Sequence, residues 1–167
     1  MTRKFATESS RSPLDLHPQT RDKLLSLFAA LAPLGIAVKL LDTARSPESQ
    51  AALYAQGRSK PGQKVTWATA DKTYHTKRRA FDFALLTAAL ALDWDWMGST
   101  AALKRWEAIG VLAEKFGLHW GGRWPDKKRD LPHFEDRYCA KCGADHKAEM
   151  FDFDGECREV PVKEDQP

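Results

Sequence analysis

The chain has 167 residues, of which 43% are hydrophobic and 29% charged, with a formal net charge of +3. That length and balance describe one soluble globular domain with a single core. No apolar run approaches the roughly 20 residues of a membrane-spanning helix, and the N-terminus MTRKFATESSRSPLDLHP lacks the apolar stretch of a secretory signal, so neither is expected.

In chain order, residues 1–16 are polar and serine-rich and read as a flexible N-terminal arm. From Pro18, the spacing of Leu24, Leu25, Leu27, Phe28 and Leu31 predicts a helix that stops at Gly35. Residues 36–44, IAVKLLDTA, read as a buried strand. Ser46-Pro47-Glu48 then marks a helix start, with Ser as N-cap, Pro at the first helical position and an acid at the positive end of the dipole. Gly57 is the expected stop of that helix. Residues 58–72 are a loop, and AFDFALL, residues 80–86, is a second strand. A stretch with Trp94, Trp96 and Met97 leads into a helix from about Ser99 to Phe116, stopped by Gly117. LHWGGRWPDKKRD reads as a loop and LPHFE as a short last strand. Few strands, interspersed helices and no regular βαβ alternation predict an α+β domain.

The tail differs from the body. Residues 1–143 carry 23 Lys/Arg against 15 Asp/Glu, whereas residues 144–167 carry 3 against 8. A basic body favours polyanionic partners, although ordinary solvated charge explains it as well. Cys139, Cys142 and Cys157 all lie in the last 29 residues. An odd, clustered set outside an oxidising context points to metal ligation more than to bridging. Three units are therefore expected: the arm 1–16, a main domain 17–138, and a Cys/His module with an acidic tail, 139–167.

Three distant segments hold the chemistry. TYHTKRRAFDF places His75 and Asp82 seven positions apart, DLPHFE sets Asp130 three before His133, and TARSPESQ puts Arg45 at a strand-to-helix junction. A hydrolytic zinc site takes three imidazole or carboxylate ligands and keeps a position open, and His75, Asp82 and His133 can supply that set. A carboxylate outside the metal shell is then needed to move a proton, and Asp130 has the right chemistry and proximity. Arg45, always charged, can stabilise an oxyanion or clamp a substrate carboxylate. Each residue has a plainer alternative: a surface histidine, an Asp130 that caps a turn, an Arg45 paired with Asp42. Asp82 is the hardest to dismiss, because a carboxylate between Phe81 and Phe83 is costly unless paired or bound. Spacing alone leaves both readings open.

Read together, the segments resemble the L-alanyl-D-glutamate peptidase branch, with phage endolysins among its members, of the D-alanyl-D-alanine carboxypeptidase-like zinc metallopeptidases. LHPQTRDKLLSL, TARSPESQAALYAQGRS, the HTKRRAFD block and GLHWGGRWPDKKRDLPHFE occur in that family's order, over roughly residues 15–137. The resemblance implies a small antiparallel sheet with flanking helices. It also implies a catalytic zinc on His75, Asp82 and His133, with Asp130 as general base and acid, Arg45 binding substrate or transition state, and peptidoglycan stem peptides as substrate. The aspartate of DLPHFE, where the related carboxypeptidases tend to carry glutamate, points to cleavage of the L-Ala–D-Glu bond. Two positions depart from the family pattern S-x-H-x-x-G-x-A-x-D: Thr73 replaces Ser, and Arg78 replaces Gly. Gly there implies a close approach or a positive φ, which Arg supplies poorly, so a somewhat different loop is expected.

Several further expectations accompany this reading. Lys77, Arg78 and Arg79, with Lys127, Lys128 and Arg129, would form a cationic rim for acidic stem peptides. Trp120 and Trp124 are candidates to line the cleft, while Trp94 and Trp106 read as core. Cys139, Cys142, His146 and Cys157 are candidate ligands of a second, structural zinc; Asp152, Asp154 and Glu156 offer a lesser hard-cation alternative without the full calcium-loop signature. The chain is expected to be a monomer without nucleic-acid or stable membrane partners, made in the cytoplasm and acting on the wall after release, as in phage lysis. The rivals are a D,D- or L,D-carboxypeptidase of the same fold, a non-catalytic zinc domain that binds cell wall, and, last, a nucleic-acid binder.

Overall fold

A computed structural model describes residues 9–93 and 99–158. Its helices are α1 (Pro18–Leu31), α2 (Pro47–Ala55) and α3 (Thr100–Lys115). Its strands are β1 (Val38–Asp42), β2 (Ala80–Leu85), β3 (His119–Trp120), β4 (His133–Glu135), β5 (Tyr138–Cys139) and β6 (Ala144–Asp145). The first four strands make one antiparallel sheet in the order β1-β2-β4-β3, and β5 pairs with β6 in a separate hairpin. This is the expected α+β architecture.

The caps follow the sequence signals. Ser46 Oγ accepts from Ser49 N at 3.1 Å, and Ser99 Oγ accepts from Ala102 N at 3.1 Å. Gly35, Gly57 and Gly117 have φ of 68°, 70° and 72°, a left-handed conformation of low steric cost for glycine; Gly35 closes the 3-10 turn Ala32–Leu34 that continues α1, and Gly57 and Gly117 follow the ends of α2 and α3. Among the described residues, no helix is long and apolar enough to cross a membrane. Trp94, Trp96 and Met97 lie outside the described residues.

The sheet has two different faces because strand side chains alternate. Phe81, Phe83 and Leu85 of β2 and Phe134 of β4 point into a core with Leu24, Leu27 and Leu31 of α1 and Trp106, Ile109 and Ala113 of α3. Phe83 and Phe134 stack with ring centroids 4.9 Å apart, and Phe81 stacks on Phe134 at 5.7 Å. Each such ring, fully buried, contributes about 1.5–3 kcal/mol. Asp82, His133 and Glu135 alternate with these rings and are thrown onto the opposite face. A smaller cluster of Tyr74, Ala80, Cys139, Ala148 and Phe151 lies apart from the main core.

Three segments differ from expectation. Of the arm 1–16, the described part is held in place: Ser10 N donates to Ala44 O, Thr43 N donates to Ser10 O, both at 2.8 Å, and Leu16 is buried in the core. Polar composition hid this, because main-chain pairing leaves no side-chain signature. The segment LHWGGRWPDKKRD, expected as loop, supplies edge strand β3 and two short 3-10 turns. Two of the six residues of the expected cationic rim are withdrawn from the surface. Lys77 and Arg79 are buried, Arg79 donating to Asp136 Oδ2 at 3.2 Å and to Gly155 O at 2.5 Å. Lys127, Lys128 and Arg129 are exposed.

Candidate metal centre

Asp82 and His133 are direct cross-strand partners in the β2–β4 register, so their side chains emerge side by side. His75 reaches the same point from the turn before β2, a 3-10 segment His75–Lys77 closed by Arg78. Arg78 has φ 59° and ψ 23°, a left-handed conformation that suits glycine. The turn therefore holds Arg78 in a conformation that glycine, the residue of the family pattern, adopts at little cost. Arg78 is held there by its own side chain, whose Nε donates to Asp15 O at 2.7 Å.

Three ligand atoms converge. His75 Nε2 lies 3.3 Å from His133 Nδ1, Asp82 Oδ1 is 2.9 Å from His133 Nδ1, and Asp82 Oδ2 is 3.4 Å from His75 Nε2. In a tetrahedral zinc site with bonds of about 2.0–2.1 Å, ligand atoms stand about 3.3 Å apart, so this triangle fits that ion. The outer nitrogens are spoken for. His75 Nδ1 donates to Thr43 O at 2.7 Å, and His133 Nε2 faces Glu135 Oε2 at 3.1 Å. If both rings are neutral and both outer nitrogens donate, the two inner lone pairs face each other; a metal ion there, or a proton on His133 Nδ1 shared with Asp82, relieves that contact.

The electrostatics agree. Burial opposes ionisation of Asp82, but His75 and the hydrogen bond from His133 outweigh it and hold its carboxyl well below the usual range. Burial likewise opposes charge on His133, yet Asp82 and Glu135 push its pKa up to about 10. The pocket is built for positive charge. Glu135, to which the sequence reading gave no role, is buried and tied in turn to Arg137, whose Nε donates to Glu135 Oε1 at 2.6 Å. Its place two residues after His133 on a strand was the signal that could have found it.

Asp130 stands at the edge of this group. Its backbone oxygen accepts from His133 N at 3.3 Å, and burial raises its pKa, with Asp82 adding to the rise and His133, His75 and Arg45 opposing it. Gly121 makes the approach feasible: a Cβ there would sit 2.5 Å from Asp130 O and 3.1 Å from His133 Cβ. Trp124 leans on His133 with ring centroids 4.9 Å apart. Trp120 is core instead, its Nε1 donating to Leu131 O at 2.8 Å, and Trp106 is core as expected. Arg45 is fixed by three partners: NH2 contacts Asp42, NH1 donates to Gln50 Oε1 at 2.6 Å, and Nε donates to Ser9 Oγ at 3.3 Å. Asp42 is the register partner of Asp82 across β1–β2. The second predicted set, Cys139, Cys142, His146 and Cys157, is also brought together, with one potential ligand atom from each within 4.8 Å of the others.

Comparison with known proteins bears on the same residues. A family model described as D-alanyl-D-alanine carboxypeptidase matches residues 66–136, which include His75, Asp82, Asp130 and His133. The peptidoglycan L-alanyl-D-glutamate endopeptidase CwlK of Bacillus subtilis (strain 168) is 37% identical over 125 residues, covering 74% of each chain. The chain belongs to the D-alanyl-D-alanine carboxypeptidase-like metallopeptidases. Two solved structures share the fold of this metallopeptidase. The LdcB LD-carboxypeptidase superposes with a TM-score of 0.57 at 17% identity, covering 72% of this chain and 58% of LdcB. The L-Ala D-Glu endopeptidase ChiX of Serratia marcescens gives 0.52 at 19% identity, covering 78% and 87%.

Proposed function

We propose that this metallopeptidase is a zinc-dependent endopeptidase that hydrolyses the L-Ala–D-Glu bond of peptidoglycan stem peptides, with His75, Asp82 and His133 as its zinc ligands. The observation that carries the reading is the triangle of ligand atoms with sides of 2.9, 3.3 and 3.4 Å, each imidazole oriented from behind by an acceptor. Zinc held there supplies a Lewis acid that polarises the scissile carbonyl and lowers the pKa of a water. The choice of bond rests on the activity for which CwlK is named.

The chain's own residues do the rest. The Asp130 carboxylate, raised in pKa by burial, takes a proton from the attacking water and hands it to the leaving amine. Trp124, packed on His133, shields that side of the site from bulk water. Arg45 is a positive charge held in place by Asp42, Gln50 and Ser9, from where it binds substrate or transition state. It neutralises Asp42 beside Asp82 and favours the ionised form of Asp130. Exposed Lys127, Lys128 and Arg129 attract the carboxylates of the stem peptide.

Digestion of purified peptidoglycan followed by mass spectrometry tests the proposal. New L-Ala C-termini and D-Glu N-termini, absent with Asp130→Asn, are the expected products. Release of D-Ala alone would replace this reading with a carboxypeptidase, and binding without cleavage would replace it with a wall-binding domain. A role in phage lysis is the finer part of the proposal; turbidity loss in outer-membrane-permeabilised cells, abolished by Asp130→Asn, is the result that supports it.

A further inference from the structure

The peptidase reading leaves the C-terminal module unused. Its own apolar cluster contains Cys139, Ala148 and Phe151, with Tyr74 and Ala80 supplied by the main domain. So small a core rarely holds a segment of this size without a staple. Cys139 closes β5 and Cys142 follows in a tight turn, with Gly143 N donating to Cys139 O at 2.9 Å. Cys157 is brought back by a bridge to Phe151. The Sγ atoms of Cys139 and Cys142 are 3.5 Å apart, and those of Cys142 and Cys157 are 3.4 Å apart. These separations exceed the roughly 2.05 Å of a disulfide and approach the about 3.8 Å between thiolates on one tetrahedral zinc. His146 supplies an independent sign: its Nε2 is buried and has no hydrogen-bond partner among the described residues. A buried ring nitrogen left without a partner beside three thiols calls for a metal ion.

The module also lies against the turn that carries His75. Tyr74 Oη donates to the backbone oxygen of His146 at 2.5 Å. On the other flank, Arg79 donates through Nε to Gly155 O and through NH1 to Tyr138 O at 3.0 Å. Lys77 Nζ sits 4.1 Å from the centre of the Phe153 ring, and a Cβ on Gly155 would lie 2.5 Å from Lys77 O. Residues on both sides of His75 are thus packed against the segment between the second and fourth of these ligands.

We propose that Cys139, Cys142, His146 and Cys157 bind a structural zinc ion, and that this site fixes the C-terminal module against the turn that positions His75. Four protein ligands close the coordination shell, so the ion has no open position for substrate. Its role is to hold the module, and through it the turn, in place.

The test uses the full chain, reduced, stripped of metal and titrated with Co(II), because only thiolate ligands give sulfur-to-cobalt charge-transfer bands. The wild type is expected to take two equivalents, one of them with those bands. His133→Ala should lose the other equivalent and keep the bands, whereas Cys142→Ser and His146→Ala should lose or strongly weaken them. Failure of the peptidase reading and failure of this one are therefore separate results. Absence of thiolate bands in the reduced wild type, or bands unchanged in both module variants, overturns the site. The wild-type and His133→Ala titrations decide this even where a module variant does not fold. Hydrogen exchange tests the coupling: stripping metal from His133→Ala, in which only the module site is loaded, should speed exchange of the Lys77 and Arg79 amides by about tenfold or more. Exchange unchanged by metal overturns the coupling.

Discussion

Nε2 of His133 and the buried carboxylate of Glu135 face each other at 3.1 Å, two positions apart on the same short strand. This contact fixes which nitrogen of His133 is free for the metal. Partners of this kind typically contribute 10–100-fold to metal affinity. Glu135→Ala is therefore expected to weaken zinc binding by about that factor, and Glu135→Gln, which keeps an acceptor, by less. Competition against a chromogenic chelator measures both. Equal affinity in wild type and Glu135→Ala would show that the ring is oriented by something else.

In the proposed mechanism Asp130 sets the acid limb of the activity. Its pKa is raised by burial, and the base form is the competent one, so kcat/KM should fall as pH drops through a value above the ordinary carboxylate pKa of about 3.9. Asp130→Asn should lower kcat by about 10²–10⁴-fold while leaving bound zinc unchanged. A pH profile of the wild type and metal analysis of the variant check the two halves. Loss of zinc together with activity would move Asp130 into the ligand set.

Gly121 is required for space, not for backbone freedom. Its absent Cβ leaves room for Asp130 O and for His133 Cβ. Gly121→Ala should push these apart, costing about 1–3 kcal/mol of stability and about 10²-fold in activity for a displacement near 1 Å. Thermal unfolding and peptidoglycan digestion read the two effects. An alanine variant with wild-type activity would mean that Asp130 needs no such close placement.

Arg78 offers a test of backbone strain. At φ 59°, a Cβ is disfavoured, while the guanidinium adds hydrogen bonds to Asp15 O and Leu16 O. Arg78→Gly and Arg78→Ala both remove those bonds, so comparing them isolates the backbone. The glycine variant should be the more stable by roughly 1 kcal/mol in denaturant unfolding. Equal stability would show that the turn relaxes out of the left-handed region.

The grouping of His75, Asp82 and His133 was legible from the order of the family's motifs, and Asp82 and His133 also stood out because Asp82 interrupts an apolar strand between Phe81 and Phe83 and His133 sits between Pro132 and Phe134. Helix starts and stops were legible because caps are local: Ser46, Ser99 and the three stop glycines each act within a few residues. What escaped was long-range or main-chain. The Thr43 carbonyl that orients His75 has no side-chain signature, and neither has the pairing of Ser10 with Thr43 and Ala44. Lys77 and Arg79 were expected in a cationic rim because a linear reading does not show that residues near 153–155 fold over them. The glycine exception at Arg78 misled for the opposite reason: sterics disfavoured the left-handed region, and tertiary hydrogen bonds overrode the preference.

The pairing of Asp82 with His133 across β2 and β4 carries one more consequence. A slip of a single residue between these strands would turn His133 and Glu135 toward the phenylalanine layer and bring Phe134 out to the solvent face. Such a misaligned chain would lose its metal pocket and display an aromatic ring at the same moment. Capture of an ion by these residues would therefore proofread strand alignment: a molecule that held zinc there would, by that fact, have assembled its sheet in the correct frame.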